Sequence, residues 1–348
     1  MTSKSLNIID FIDKSFNELI IDVRAPIEFE KGHMTNAINI PLFEDVERAE
    51  IGTLYKQKGK DIAVNRGLEI VSPKLVPFVN HVKSLSKNKK VFIYCFRGGM
   101  RSNSFAWLMN TSGLDATILE GGYKNFRNHV LEFFEQKKKL VIIGGMTGSG
   151  KTDLLKKLDK IDFQTIDLEK LANHKGSAFG TINEEKQKPQ QIFENNLFHQ
   201  LRLLDPKKII LIEDESQTIG FNKIPHGLWL QMKKATIIKL EIPFELRVQK
   251  LVQDYTTTNI EALKVCVKKI EQNLGTQNAN LCLKYLDENN LTDVARLTLK
   301  YYDKAYSFTY NKKTTQVIIP LVLDTMNVEE NTLKIKELIN SLDIYNAN

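Results

Sequence analysis

Only three cysteines occur in 348 residues, Cys95, Cys266 and Cys282, an odd number without metal-ligand spacing. That excludes a disulfide framework and points to a reducing compartment. Long apolar runs are missing too. The longest, Leu140 to Gly145 and Val317 to Leu323, fall far short of the roughly eighteen residues that a membrane span requires. The N-terminus lacks the basic and apolar stretches of a secretory leader and carries Asp10, Asp13 and Glu18 among its apolar residues, so the expected location is cytoplasmic. Neither sign of charge dominates. The 49 Lys and Arg stand against 42 Asp and Glu, a net +7 that suits a polyanionic partner such as RNA without demanding one. At 42% hydrophobic and 26% charged residues the composition is that of packed domains, and the length implies two of them with a helical appendage.

What is present is organised around Cys95. Val91-Phe92-Ile93-Tyr94 reads as a buried strand, Phe96-Arg97-Gly98-Gly99-Met100 as a tight loop, and Ser102 onward as a helix with Phe105, Leu108 and Met109 on one side, stopped by Gly113. A cysteine between strand end and helix start has several backbone amides and the positive end of the helix near its sulfur, an environment that favours thiolate. Gly98 and Gly99 let amides approach an anion, and Arg101 completes C-x5-R, so that the loop can bring a guanidinium beside the sulfur. The expectation is an exposed, ionised nucleophile at Cys95. The plainer reading is a buried structural cysteine.

Leu19-Ile20-Ile21-Asp22-Val23-Arg24 reads as a strand, Glu28-Phe29-Glu30-Lys31-Gly32-His33 as a short helix, and Ala37-Ile38-Asn39-Ile40-Pro41 as a second strand. Asp22, Arg24, Glu28, Phe29, Gly32, His33, Asn39 and Pro41, followed by the C-x5-R loop, are similar to the rhodanese family. His33, Asp22 and Arg24 are expected to be structural or pocket-lining. Glu47 to Gly59 is basic and without strong periodicity, either a solvated surface segment or a contact for substrate. The first domain is expected to span 1–136, with Lys137-Lys138-Lys139 as a charged hinge to a second domain over 137–348.

The second domain opens on another anion site. Leu140 to Ile143 is a strand, and Gly144-Gly145-Met146-Thr147-Gly148-Ser149-Gly150-Lys151-Thr152 matches G-x4-G-K-[ST] ahead of a helix, the context of a P-loop. Backbone amides around Gly145, Gly148, Ser149 and Gly150 cradle phosphate, Lys151 neutralises it, and the Thr152 hydroxyl can reach a metal. Ile209 to Ile212 followed by Glu213-Asp214-Glu215 has the form of a Walker B strand, in which Glu213 or Asp214 supports a metal or polarises water unless these acids merely cap the strand. Asp167-Leu168-Glu169 and His174 to Gly180 fall where a lid belongs. Phe244 to Tyr255 and Ile260 to Leu274 read as helices of an insertion over about 244–313. Leu297 to Lys313 mixes Tyr301, Tyr302, Tyr306, Phe308 and Tyr310 with Lys300, Lys304, Lys312 and Lys313, either a helix core with a solvated face or a surface that stacks on bases. Gln316 to Leu323 is a strand that Pro320 assigns to a sheet edge, and Val328 to Leu342 a closing helix.

Taken together the chain resembles the tRNA 2-selenouridine synthase family: Asp22 to Phe29, Glu47 to Gly59, Arg97-Gly98-Gly99 with Arg101-Ser102, Glu120-Gly121-Gly122-Tyr123-Lys124, the P-loop, Glu213 to Ser216 and Tyr301-Tyr302-Asp303. Tyr94 and Ser149 depart from members that carry cysteine there. The resemblance implies an α/β protein, a rhodanese-like parallel-sheet domain followed by a P-loop NTPase-like domain with a helical extension. It also implies an enzyme that replaces the sulfur of wobble 2-thiouridine in tRNA by selenium from selenophosphate, by way of an S-geranyl intermediate made from geranyl diphosphate. Cys95 would carry the selenium, the loop amides, Arg97 and Arg101 would steady the donor, and the P-loop would hold the geranyl diphosphate. No tightly bound cofactor is implied, a magnesium ion stays open, and a selenophosphate-supplying enzyme is a candidate partner. Rival readings are a sulfurtransferase acting on tRNA with an ATP-hydrolysing P-loop, and an ATP-gated tRNA-binding module with Cys95 as an oxidant sensor.

Overall fold

The computed structural model describes residues 4–342 apart from 162, 178, 181, 183 and 312–315, with no side-chain description for 309–311. The chain forms two compact units, one of residues 1–133 with 189–198 and one of 134–188 with 199–348.

The first unit runs β1 (Lys4–Leu6), α1 (Ile8–Lys14), β2 (Leu19–Asp22), α2 (Pro26–Lys31), β3 (Ala37–Asn39), α3 (Asp45–Lys58), α4 (Lys60–Val71), α5 (Leu75–Leu85), β4 (Lys90–Tyr94), α6 (Met100–Thr111), β5 (Asp115–Leu119) and α7 (Gly122–Glu135). Its strands make one parallel sheet in the order β1-β5-β4-β2-β3. Strands covered on both faces need continuous apolar runs, and Val91 to Tyr94 and Ala116 to Leu119 are buried throughout. Ile21, Ile93, Phe105 and Met109 form the core between β2, β4 and α6. A segment from far along the chain completes this unit. Asn195 Nδ2 donates to His33 O (2.6 Å) and Tyr123 Oη (3.1 Å), Arg127 pairs with Glu194, and Phe198 meets Phe126 and Phe133 edge on.

Glu47 to Gly59, read as without strong periodicity, is the greater part of α3, which turns at Gly59 into α4. No residue of α3 is buried, so it leaves no apolar stripe to read. It is held by its ends and by charge: Glu44 N donates to Glu47 Oε2 (2.8 Å), Lys74 pairs with Glu47 (2.6 Å) and Arg66 with Glu50 (2.6 Å).

The second unit contains β6 (Leu140–Gly145), α8 (Lys151–Asp159), β7 (Gln164–Ile166), α9 (Leu168–Ala172), the end of α10 (Gln190–Arg202), β8 (Ile210–Glu213), the short strands β9 (Thr218–Ile219) and β10 (Asn222–Lys223), and α11 (His226–Met232). After β11 (Thr236–Glu241) come four helices, α12 (Phe244–Tyr255), α13 (Ile260–Leu274), α14 (Thr276–Asp287) and α15 (Leu291–Asn311), then β12 (Ile318–Val322) and α16 (Val328–Ser341). The parallel sheet has the order β12-β11-β6-β8-β7. β12 stands at its edge, where Pro320 opposite Lys239 leaves no interior ladder bond unmade. The aromatic and basic run lies mostly on α15, where Leu299 is buried, Leu297, Tyr301 and Tyr302 pack against the helical core and Phe308 is exposed. Lys312 and Lys313 lie outside the described residues, as do the side chain of Tyr310 and Ala178 of the expected lid.

Candidate functional site

Cys95 follows β4 directly, and the chain then makes a loop from Phe96 to Gly99 before α6 begins at Met100. The carbonyls of this loop are tied outward. Tyr123 N donates to Cys95 O (2.8 Å), Lys124 N to Phe96 O (3.0 Å), and Asn103 Nδ2 to Gly98 O (3.1 Å) and Gly99 O (2.9 Å). None of the backbone N–H groups from Phe96 to Arg101 has a hydrogen-bond partner among the described residues. Six consecutive unpaired donors in the loop that follows Cys95 are the makings of an anion-binding bowl. The loop keeps its shape by packing on the turn before α7. Gly122 sits at φ +59°, and a Cβ there would lie 2.3 Å from Cys95 O and 2.5 Å from Gly98 N.

Two expectations about the thiol need correction. Cys95 is 3% exposed rather than open, because the loop folds over it and its Sγ lies 3.2 Å from the Ser102 hydroxyl on the first turn of α6. Arg101 is not free to serve the sulfur: its Nη1 donates to Glu28 Oε2 (2.9 Å). Burial lifts the Glu28 carboxyl, but Arg101 more than offsets this and holds it below the usual carboxylate range. Arg97 is exposed and lies 5.7 Å over the exposed Phe96 ring, and Met100 and Trp107 on α6 are exposed as well.

The remaining motif residues are scaffolding. Arg24 is buried and donates to both carboxylate oxygens of Asp22 (2.6–3.0 Å) and to Gly32 O (2.6 Å), with its guanidinium 3.8 Å from the Tyr123 ring. Asn39 Nδ2 bridges Asp22 O and Arg24 O. His33 stacks on Phe29 at 3.8 Å and its Nδ1 is 2.9 Å from Phe29 O. Tyr94 Oη accepts from Met34 N (3.1 Å). These contacts lock the crossover from β2 to β3 beside β4.

In the second unit the P-loop joins β6 to α8. The amides of Thr147, Gly148, Gly150, Lys151 and Thr152 have no partner among the described residues, and Lys151 Nζ donates to Gly145 O (3.1 Å). Of the two acids expected beside it, Glu213 is the one that meets the P-loop: Thr152 Oγ1 donates to its Oε1 (3.0 Å) and lies 3.3 Å from Glu169 Oε2. Asp214 is half-buried, with its amide on Ile143 O (3.0 Å). Burial, together with repulsion from Glu169 and Asp167, pushes Glu213 up to about 8. Burial and then Glu169 raise Glu215 well above the carboxylate range. Burial opposes the charge on Lys151, but Tyr306 and the three glutamates keep its pKa above that of an ordinary lysine. Sequence reading put Glu169 in a loop over the phosphate site and Glu215 in the Walker B run without singling out either as a neighbour of Lys151. It missed Arg247, which is buried, bidentate to Asp303 (2.8 and 2.7 Å) and bonded to Thr147 O (3.2 Å), and so braces the loop. Among the described residues no group of three or more acids, histidines or cysteines is arranged to hold a metal ion by itself. Thr152 and Glu213 suit a magnesium ion only as partial ligands shared with phosphate oxygens.

A cavity of about 560 Å3 lies over the P-loop, walled by Lys156, Lys175 and Lys250 as well as the acids. Thr147, Ser177, Tyr255 and Tyr302 line it and also an apolar pocket of about 50 Å3 whose other walls include Phe179, Leu263, Leu291 and Val294.

Residues 9–129 match the family model of the rhodanese-like domain, and residues 138–330 match that of the tRNA 2-selenouridine synthase AAA domain. The chain belongs to the tRNA 2-selenouridine synthase family. Relatives bearing that name include proteins from Shewanella frigidimarina, 40% identical over 69% of this chain, and Psychromonas ingrahamii, 35% identical over 71%. The matched stretches span 66% and 68% of those relatives, so the chain accounts for about two thirds of their length. A crystal structure of the N-terminal domain of a Clostridium difficile 630 protein is 40% identical and covers 37% of this chain and 99% of that one, at a TM-score of 0.34. Membership places the amide bowl in the family's rhodanese-like domain and the phosphate cradle in its AAA domain. No described helix is long and apolar enough to cross a membrane.

Proposed function

We propose that this protein is a tRNA 2-selenouridine synthase that replaces the sulfur of wobble 2-thiouridine by selenium taken from selenophosphate. The observation that carries the reading is the run of unpaired amides from Phe96 to Arg101 in the loop after Cys95, joined in one chain to the AAA domain of this family. The bowl suits a small oxyanion donor. The Cys95 thiolate attacks selenium, the Se–P bond breaks with its electron pair on phosphorus, which takes a proton and leaves as phosphite, and Cys95 holds the selenium as a terminal perselenide, S–Se−. The loop amides stabilise the negative charge at each stage. Arg97 at the rim orients the donor, and Arg101, balanced by Glu28, adds no net charge.

Sulfur on C2 is a poor leaving group, and alkylation improves it. The reading therefore includes an allylic diphosphate, geranyl diphosphate, held by Gly145, Gly148, Ser149, Gly150, Lys151 and Thr152. The apolar walls that share Thr147, Ser177, Tyr255 and Tyr302 with the phosphate cavity support this in part, since they offer the first carbons of a hydrocarbon tail an apolar surface beside the diphosphate, though a pocket of about 50 Å3 holds only a fraction of the chain. A magnesium ion shared by Thr152, Glu213 and the diphosphate would supply the missing positive charge. The selenide on Cys95 then attacks C2, a C–Se bond forms and geranylthiol departs. An external thiol splits the S–Se bond to release selenouridine, and a second thiol reduces the mixed disulfide on Cys95. An external reductant is required because Cys266 and Cys282 are buried in the helical core of the second unit.

Mass spectrometry of tRNA nucleosides from a deletion strain carrying either the wild-type gene or Cys95→Ser tests the reading. It expects 2-selenouridine only with the wild type. Undiminished selenium in RNA from the Cys95→Ser strain would overturn it.

A further inference from the structure

The α3–α4 hairpin is an arm that the mechanism above does not use. Fourteen residues of α3 at 1.5 Å per residue make it roughly 20 Å long. Its charges divide by position. Along the shaft they are satisfied within the unit: Arg66 with Glu50 and Glu69 (2.6 and 2.9 Å), and Lys74 with Glu47 (2.6 Å). At the turn, Lys56, Lys58 and Lys60 are exposed and none has a side-chain partner among the described residues. Asp61, also exposed, is the one acid among residues 55–62. Tyr55 is 58% and Ile62 49% exposed at the same end. Three lysines against the single Asp61 leave the tip with a net +2 and no ion pair among the described residues, while Glu47, Glu50, Arg66 and Glu69 along the shaft are paired. Cations beside an exposed aromatic ring suit a phosphate backbone with bases or riboses between the charges. A single exposed aliphatic side chain at the tip is too little for insertion into a lipid surface.

We infer that the tip of this hairpin is a docking site for the RNA substrate, with Lys56, Lys58 and Lys60 on backbone phosphates and Tyr55 against a base or ribose. This rests on the proposed reading that the substrate is tRNA. The arm would hold the RNA at a distance from the reacting base and contribute affinity without chemistry.

The test is binding of a full-length tRNA transcript to the whole protein by fluorescence anisotropy from 50 to 250 mM KCl. Each lost phosphate contact lowers the slope of log K against log salt by about 0.7–0.9. The variant Lys56→Ala/Lys58→Ala/Lys60→Ala is expected to lose about two units of slope and ten- to a hundredfold in affinity near 0.1 M salt. Lys14→Ala/Lys83→Ala/Lys87→Ala removes the same charge from exposed positions elsewhere in the unit and is expected to stay near wild type. Tyr55→Ala is expected to weaken binding at unchanged slope, and Tyr55→Phe to restore it. Lys58→Glu alone reads the same site should the triple variant lose helix by circular dichroism. If the wild type binds tRNA and the tip variants keep its affinity and slope, or the control triple falls equally, the docking site is refuted and the tRNA reading stands. If the wild type does not bind tRNA, both fall.

Discussion

Glu213 should make the P-loop unit less stable at alkaline than at mildly acidic pH. In the folded protein its carboxyl titrates at about 8, against an ordinary value of 4.5, because burial and the charges of Glu169 and Asp167 penalise its ionised form. The folded state therefore holds a proton that the unfolded state has released, so the stability contribution is complete below about 4.5 and is lost as pH rises toward 8. At about 1.4 kcal/mol per pH unit the upper limit is about 5 kcal/mol. Glu169 and Glu215 share the same space and the same raised affinity for protons, so Glu213 alone should account for about half of that. In a unit of about 200 residues 2–3 kcal/mol corresponds to roughly 4–12 °C in Tm. The assay compares melting of the second unit at pH 5 and pH 8 in wild type and Glu213→Gln, since Gln keeps an acceptor for Thr152 Oγ1. The wild type should lose more stability than the variant between the two values. Parallel curves for the two proteins would refute the electrostatic reasoning.

Three further outcomes follow from the geometry. Gly122→Ala should abolish selenium transfer and destabilise the first unit by more than about 2 kcal/mol by chemical denaturation, since a methyl group would meet Cys95 O at 2.3 Å; a stable, active variant would show that the loop does not depend on this turn. Arg24→Lys should cost about 2–3 kcal/mol, because a lysine keeps the charge but loses the bidentate bond to Asp22 and the stack on Tyr123. A melt within 1 °C of wild type would contradict it. Lys151→Ala should weaken binding of radiolabelled geranyl diphosphate at least tenfold, and equal binding would remove the diphosphate from the P-loop.

The Cys95 and P-loop regions were legible because each is local: a buried strand, a glycine-rich turn and a helix start within about fifteen residues. Helices α12 and α13 were legible to the residue because each buries an apolar stripe. What stayed hidden is non-local or lacks a buried face. Helix α3 buries nothing, so only its ion pairs mark it. Glu169, Glu215 and Lys151 meet because β8 lies between β6 and β7, an order that no spacing along the chain announces. Gly176 marks the closeness of the meeting, since a Cβ on it would lie 2.7 Å from Glu215 Oε2. The burial of Cys95 likewise depends on residues 119–122, more than twenty positions away, which close the loop from the far side.

That burial bears on what the thiol can attack. A sulfur at 3% exposure, against Ser102 and beneath Phe96 to Gly99, offers no open face to a nucleobase. A small donor lined by amides is a different matter, because the bowl is built from N–H groups rather than from side chains that would fill it. Once selenium is attached, the reactive atom sits one bond further out than the sulfur. On the proposed reading the protein thus separates two reactions by reach: the bare thiolate meets only the donor, and only the loaded form reaches the base. Arg101 fits the same logic. Tied to Glu28, it braces α6 against α2 and adds no net cation that would hold the selenide back, so the charge on sulfur is left to neutral amides that release it as the C–Se bond forms.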